Sequence, residues 1–167
     1  MLFRSENAGR LAEPFAKDPW NGDEIKLFNV LEKPAMESGG GGLVSTTMDY
    51  ARFCQMLLNG GSLDGNRIIG RKTLELMASD HLAADVVIKG DLVPVGHRFG
   101  LGFAVRTSVP DNSEWPLGEY RWDGVGGTFF FIDPADDMFA IFMVQTPSQR
   151  GRIQLELKTL IYKAMGR

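Results

Sequence analysis

The stretch Tyr120-Arg121-Trp122-Asp123-Gly124-Val125-Gly126-Gly127-Thr128 runs directly into Phe129-Phe130-Phe131-Ile132-Asp133-Pro134, and its reading decides the fold. β-Formers alternate with period two before the glycines and an unbroken aromatic run follows them, so two strands of one sheet are expected to bracket a glycine turn. Glycines at 124, 126 and 127 remove the side chains that would keep a ligand away from the backbone N–H groups. Gly-Val-Gly-Gly reads equally as a hairpin loop with a bulge, and the residues by themselves leave both readings open.

Outward from this stretch the pattern stays antiparallel. Phe99 to Thr107 alternates as a strand, Pro110-Asp111-Asn112-Ser113 turns it, and Gly118 to Asp123 returns. Thr128 to Asp133 is the third strand, Pro134-Ala135-Asp136-Asp137 the next turn, and Met138 to Gln145 the fourth strand. The last two are apolar on both faces, which predicts a central sheet with helices on each side. After Pro147, Ile153, Leu157, Leu160, Ile161 and Ala164 recur at helical spacing, with Arg152, Glu156, Lys158 and Lys163 largely outside that stripe. The fold class is α+β, an antiparallel β-sheet covered by helices.

Upstream, Thr46 followed three residues later by Asp49 is a capping-box pattern that starts a helix. Tyr50, Phe53, Cys54, Leu57 and Leu58 form its expected buried stripe, and Asn59-Gly60-Gly61 ends it. Asp64-Gly65 is a tight turn with short extended arms. A second helix is expected from Arg71 to about Asp80, with Leu74 and Met77 inward and Leu76 and Ile69 completing the face. Leu82 to Arg98 has no sustained period, and its valines suit short strands or a covering loop. The first forty residues are the least regular, with Leu11, Ala12, Phe15 and Trp20 as scattered apolar anchors and one candidate strand from Glu24 to Leu31. One domain spans residues 1–167, divided into an irregular lead-in over 1–45, a helical part over 46–98, and strands with the last helix over 99–167.

A chain of 167 residues that is 44% hydrophobic can bury a sizeable core. Its 18 basic and 21 acidic residues are dispersed, giving a net charge of -3, which argues against nucleic-acid partners and anionic membranes. No apolar run approaches the ~20 residues of a membrane span, and the first residues do not form a signal peptide. Cys54 stands alone, so it forms no intramolecular disulfide and reads as a buried, inert thiol in a reducing compartment. The chain as given reads as soluble and cytoplasmic, while a longer parent is compatible with a periplasmic or secreted site. His81 and His97 lack the closely spaced partners of a metal site and read as surface or hydrogen-bonded residues, so no metal is expected. The Gly39-Gly40-Gly41-Gly42 run precedes a helix, but no Gly-Lys-Ser/Thr follows it, and a phosphate-binding loop is not supported. No cofactor is implied.

Several pieces together resemble a known family. Arg10-Leu11-Ala12, Gly39 to Thr46 leading to Asp49-Tyr50-Ala51-Arg52-Phe53, and Leu57-Leu58-Asn59-Gly60-Gly61 look like the later part of the serine β-lactamase and penicillin-recognising family. Trp122-Asp123-Gly124 with Gly127-Thr128 and Asp133-Pro134 resembles that family's third motif, in the manner of the class C-like esterase branch. The resemblance runs through nearly the whole chain in the expected order.

It implies a Ser-Xaa-Xaa-Lys nucleophile and a Tyr-Xaa-Asn motif, and neither is present. None of the eight serines has a lysine three positions on, and Tyr50, Tyr120 and Tyr162 are followed two positions on by Arg52, Trp122 and Ala164. Acyl transfer needs an activated nucleophile, a proton acceptor and an oxyanion hole in one place. The expectation is therefore a C-terminal portion of a larger serine hydrolase, inactive alone, whose parent cleaves an ester or amide through an acyl-enzyme. The alternative is a stand-alone, non-catalytic binding or assembly module with the same fold.

By resemblance, Trp122, Asp123 and Gly124 lie on a site-lining edge strand, and the N–H of Val125 is the candidate second oxyanion donor. Trp122 in the place of the classical lysine favours an esterase-like pocket, and Asp123 would disfavour an anionic substrate or else cap the turn at Gly124. The expected partners are a small ester or amide substrate of the parent and a second copy of the chain, joined through an exposed sheet edge.

Overall fold

The computed structural model describes residues 5–27, 29–32, 35–36, 38–90, 92–109 and 115–166. Its centre is a five-stranded antiparallel sheet. The strands are β3 (His97–Phe99), β4 (Ala104–Arg106), β5 (Tyr120–Asp123), β6 (Phe129–Asp133) and β7 (Met138–Phe142), in that spatial order. A separate two-stranded ribbon is made by β1 (Ser62–Leu63) and β2 (Asn66–Arg67). The ribbon turns at Asp64 and Gly65, whose φ angles of 49° and 77° are those of the expected tight turn.

The expected strand from Phe99 to Thr107 is two strands. Gly100 to Phe103 breaks it, Gly102 turns at φ 90°, and β3 folds back on β4 with Phe99 opposite Ala104. Two glycines flanking one leucine were the signal for that hairpin. Among the described residues the strand expected from Glu24 to Leu31 does not form; a bridge between Lys17 and Glu24 marks that region, and Phe28 lies outside the described residues. The turn expected at Pro110 to Ser113 also lies outside them. Phe15 and Trp20 are not anchors, being 72% and 71% exposed.

Helix α1 (Thr47–Leu58) begins as the capping box requires. The Asp49 N–H donates to Thr46 Oγ1 at 3.1 Å, and the Thr46 hydroxyl donates to the Asp49 carboxylate at 3.0 Å. The helix buries Cys54, Met56 and Leu57, with Tyr50 and Leu58 packed at the margin. Phe53, expected in the stripe, is exposed at its rim yet keeps its ring 5.4 Å from Tyr50 and 6.5 Å from Phe130. The second helix, α2 (Arg71–Met77), buries Leu74 and leaves Leu76 exposed. With only seven residues it has one inward row, so Leu76 falls outside it.

Side-chain alternation sends Phe130 and Ile132 of β6, Tyr120 of β5 and Val105 of β4 into one core with α1 and α2. Phe129 and Phe131 go to the opposite face, where the last helix, α3 (Arg150–Ala164), presents Tyr162, Leu157 and Ile161. All five residues of β6 are buried, as a strand covered on both faces must be. Helix α3 corrects the sequence reading most. Its most buried residues are Gln154, Lys158 and Tyr162, whereas Leu160 of the expected apolar stripe is 62% exposed. The inward row is polar because the sheet face beneath it is polar. No helix among the described residues is long and apolar enough to cross a membrane.

Candidate functional site

The β5–β6 ladder pairs Tyr120 with Ile132 and Asp123 with Phe129, leaving Gly124 to Thr128 as the connecting loop. Within it the Gly124 N–H donates to Thr128 O at 2.7 Å and the Gly127 N–H to Gly124 O at 2.9 Å. The loop is also tied from outside, because the Thr146 N–H donates to Gly126 O at 2.7 Å. The Val125 N–H donates to no described residue, and Val125 itself is 57% exposed.

Gly124 and Gly127 have causes in the chain's own structure, and Gly126 sits against the Gln145 side chain. A Cβ at Gly124 would stand 2.4 Å from Thr128 Oγ1, and one at Gly126 would stand 2.3 Å from Gln145 Oε1. Gly127 takes φ 103°, a conformation that side chains other than hydrogen resist. The β5–β6 register runs unbroken to the Gly124–Thr128 bond, so the turn is a hairpin without a bulge; its geometry accounts for Gly124 and Gly127, while the Gly126 contact is with the movable end of the Gln145 side chain.

β5 is not an edge strand. It is the middle of the five, with β4 and β6 bonded on its two sides and β3 and β7 at the margins. Trp122 points to the α1 side, half-buried, with its ring edge-on to Phe99 at 4.9 Å. Asp123 points to the other side, where its Oδ2 accepts from Gln154 Nε2 at 3.1 Å, while Gln154 Oε1 accepts from Arg121. Its carboxylate is thus held by α3, on the face opposite Trp122. It does not cap the turn, since the Gly124 N–H is satisfied by Thr128.

Beneath α3 lies a buried charged cluster that the sequence reading missed. Glu119 is fully buried and Lys158 is 2% exposed, and the two form an ion pair. Tyr162 OH donates to Asp133 Oδ2 at 2.7 Å and lies 3.4 Å from Glu119 Oε2. His97 Nε2 stands 3.7 Å from Glu119 Oε1, an ion-pair distance beyond hydrogen bonding, and its Nδ1 lies 3.1 Å from Val95 O. The Lys158 ammonium also sits over the Trp115 ring at 4.1 Å, with Phe131 and Tyr162 at 5.6 and 5.9 Å.

Burial alone would raise the Glu119 carboxyl, but the His97 imidazole and the Lys158 ammonium outweigh it and hold that carboxyl below its usual value. Burial pushes Lys158 down to about 8 despite Glu119. The two shifts pull the pair opposite ways, and the charged pair is the state at neutral pH, since Lys158 is still mostly protonated there. The missed signal was spacing: Glu119, Arg121 and Asp123 share a strand face at period two, and Gln154, Lys158 and Tyr162 share a helix face at i, i+4 and i+8.

The lead-in segment reaches the same region from the other end. Asp18, 2% exposed, accepts from the Ser148 hydroxyl and from the backbone N–H of Trp20 at 2.8 Å. Those bonds hold its carboxyl below its usual range, the Ser148 hydroxyl most of all. Trp20 lies under the Arg152 guanidinium at 4.9 Å. Among the described residues Ser148 bonds to a carboxylate and to no lysine or histidine. His81 is exposed, 2.6 Å from Leu76 O, and His97 is buried in the Glu119 cluster, so the structure keeps them apart. Among the described residues no group of three His, Cys, Asp or Glu is placed to hold a metal ion. Cys54 is fully buried, and burial pushes its thiol up to about 12.

Comparison with known proteins adds three findings. The family model described as Beta-lactamase matches residues 4–162. Protein Rv1367c of Mycobacterium tuberculosis strain H37Rv and the Uncharacterized protein MT1414 of strain CDC 1551 are each 35% identical over 119 residues, covering 67% of this chain. The chain spans only 30% of the length of either relative. A solved structure of a candidate β-lactamase from Bacteroides dorei DSM 17855 superimposes with a TM-score of 0.52 at 27% identity, over 63% of this chain and 33% of that one.

Proposed function

Since the chain belongs to the β-lactamase family, we propose that it supplies the third-motif wall of a serine-hydrolase acyl-transfer site, as the C-terminal portion of a longer protein. One observation carries this reading. The Val125 N–H, at the head of the Trp122-Asp123-Gly124 strand, is exposed and bonded to no described residue, in a loop held from both sides by Thr128 and Thr146. A fixed, unspent donor is what an oxyanion hole requires, because its dipole is oriented before charge develops.

Trp122, Gly124 and Val125 form this wall, with Trp122 presenting an aromatic surface where the classical family has a cation. An uncharged ester or amide fits that surface better than a carboxylate-bearing one. Asp123 is turned to the face opposite Trp122, towards α3. Its role is positional, tying β5 to Gln154 of α3. The nucleophile and its base come from outside this chain, whose serines all lack the lysine three positions on.

A second reading, a binding module without chemistry, draws on that same lack of a nucleophile. Two measurements test these readings, and the second separates them. Incubated with a chromogenic short-chain ester and with nitrocefin, the chain is expected to turn over neither, and turnover abolished by a serine-reactive phosphonate would overturn the assignment. In 15N-labelled protein, millimolar methyl phosphonate, a mimic of the tetrahedral oxyanion, is expected to shift the Val125 amide more than those of α3. An unmoved Val125 resonance at saturating probe favours the module.

A further inference from the structure

The loop that presents the Val125 N–H is backed by residues from beyond β7. The Thr146 N–H donates to Gly126 O at 2.7 Å, and two residues further on the Ser148 hydroxyl donates to the Asp18 carboxylate, 130 positions away in the chain. Ser148 belongs to a short turn of 3-10 helix, Pro147–Gln149, which the Gln149 N–H closes on Thr146 O at 3.3 Å. One short turn thus touches the candidate site at one end and the lead-in segment at the other.

Asp18 sits in a closed hairpin. Its N–H donates to Asp23 O at 2.7 Å, the Gly22 N–H returns to Asp18 O at 2.8 Å, and the Ile25 N–H donates to Ala16 O at 3.2 Å, with Gly22 at φ 80° where the chain reverses. On the buried side chain, Oδ1 accepts from the Trp20 and Asn21 N–H groups at 2.8 and 3.3 Å, and Oδ2 accepts from Ser148. Oδ1 alone would cap the turn. Oδ2 is spent on a residue from the far end of the chain, in a bond strengthened by the carboxylate's charge. The lead-in meets the loop at a second point, because a Cβ at Gly126 would stand 3.5 Å from Leu27 Cδ1.

We propose that Asp18 is a positioning residue for the Val125 donor: it latches Ser148, the Pro147–Gln149 turn carries that hold to Thr146, and Thr146 fixes Gly126 beside Val125. The inference rests on reading Val125 as an oxyanion donor, but the latch acts on the loop with or without a ligand. Gly124 and Gly127 are held by bonds within the β5–β6 hairpin. Among the described residues Gly126 O is held only from outside it, by Thr146. The hairpin alone therefore leaves the middle of the loop unsupported, and the latch moves the cost of ordering it from ligand binding into folding.

Amide hydrogen exchange and phosphonate titration of the 15N-labelled chain test this. D18A and S148A should each speed exchange at the Thr146 and Gly127 amides by about tenfold, the scale of a lost hydrogen bond to a charged group, while Cys54 and Leu57 of α1 stay unchanged. The double variant should be no faster than either single one, since both break the same bond. S148A removes one hydroxyl and decides the matter should D18A fail to fold. In the same variants the methyl phosphonate titration at the Val125 amide should show several-fold weaker affinity. Acceleration confined to residues 16–25, or spread equally to α1, overturns the latch. A Val125 response in wild type that S148A leaves undiminished overturns the positioning role and spares the donor reading. A wild-type Val125 that methyl phosphonate does not move overturns the donor reading and the positioning role with it.

Discussion

Replacing Lys158 by Met tests the polar seam between α3 and the sheet. Met retains most of the buried aliphatic stem, so the packing change alone costs less than about 1.5 kcal/mol. What it removes is the cation. Glu119, fully buried, keeps the Tyr162 hydroxyl at 3.4 Å, His97 at 3.7 Å and its electrostatic attraction to Arg121, but loses the ammonium that is ion-paired with it. Breaking one side of a buried ion pair in this way costs about 3–5 kcal/mol. That is a large share of the roughly 5–15 kcal/mol by which domains are stable, so K158M should be close to unfolded in mild denaturant.

Urea denaturation followed by tryptophan fluorescence gives the measurement. Adding E119Q to K158M removes the stranded charge while retaining an acceptor, and the double variant should be more stable than K158M, with a coupling energy of about 2 kcal/mol between the two sites. If K158M shifts stability by less than about 1 kcal/mol, or if E119Q gives no recovery, the ion pair is not formed in solution and the account of α3 docking fails.

The pair also sets a pH signature. Glu119 is held below its usual value of 4.5, so its stabilisation is full above that pH and is lost as pH falls through the lower, folded value. Lys158 titrates at about 8 in the fold against 10.5 unfolded, so between those values the unfolded chain binds more protons. Wild type should gain stability relative to K158M as pH rises from about 8 towards 10.5.

Three further outcomes follow from local geometry. Thr46→Ala removes the acceptor for the Asp49 N–H and should cost about 1 kcal/mol in urea melts. Gly61→Ala should cost at least about 2 kcal/mol, because its Cβ would stand 2.2 Å from Ile69 O at φ 94° and only backbone movement relieves that contact. Cys54, fully buried with its thiol pushed up to about 12, should react with a thiol reagent only at the rate at which the chain opens, so labelling should accelerate with urea.

Legibility in the sequence divided along the two faces of the sheet. On the α1 face, period-two residues in β5 met a helix whose cap and glycine stop were local signals, so Thr46 and Leu57 were placed by pattern alone, whereas the unbroken aromatic run of β6 left the face of Phe130 open. On the α3 face the same periodicity carried Glu119, Arg121 and Asp123, and charged residues read by default as solvent-facing. The helix was then rotated to bury Leu160, which is exposed, and to solvate Lys158, which is buried. Nothing local distinguishes a lysine that will meet a buried glutamate 39 positions away from one that faces water. Of the candidate site, the turn was legible because glycine is conformationally diagnostic, while Val125 came from the resemblance alone. The interior place of β5 follows from the expected strands on its two sides and only the resemblance set it at an edge, while the Gly100–Phe103 reversal adds one further strand outside β4.

The polar face bears on the Trp122-Asp123-Gly124 strand itself. Trp122 and Asp123 are neighbours in sequence but are held by opposite layers, Trp122 by Phe99 and the α1 core, Asp123 by Gln154 of α3. The strand that ends at Gly124 is therefore clamped from both faces one step before the Val125 N–H, and the loop beyond it is fixed at Gly124 and Gly126 by backbone bonds. A donor that must stay oriented in the absence of its ligand needs this kind of support, because a free loop would spend binding energy on ordering itself. The buried pair Lys158–Glu119 anchors the same helix one turn beyond Gln154. Loosening α3 at Lys158 should thus reach Asp123 before it reaches Trp122. In K158M, amide exchange should accelerate at Arg121 and Asp123 ahead of the α1-face residues Cys54 and Leu57, and uniform acceleration across both faces would contradict a seam-specific role for the pair.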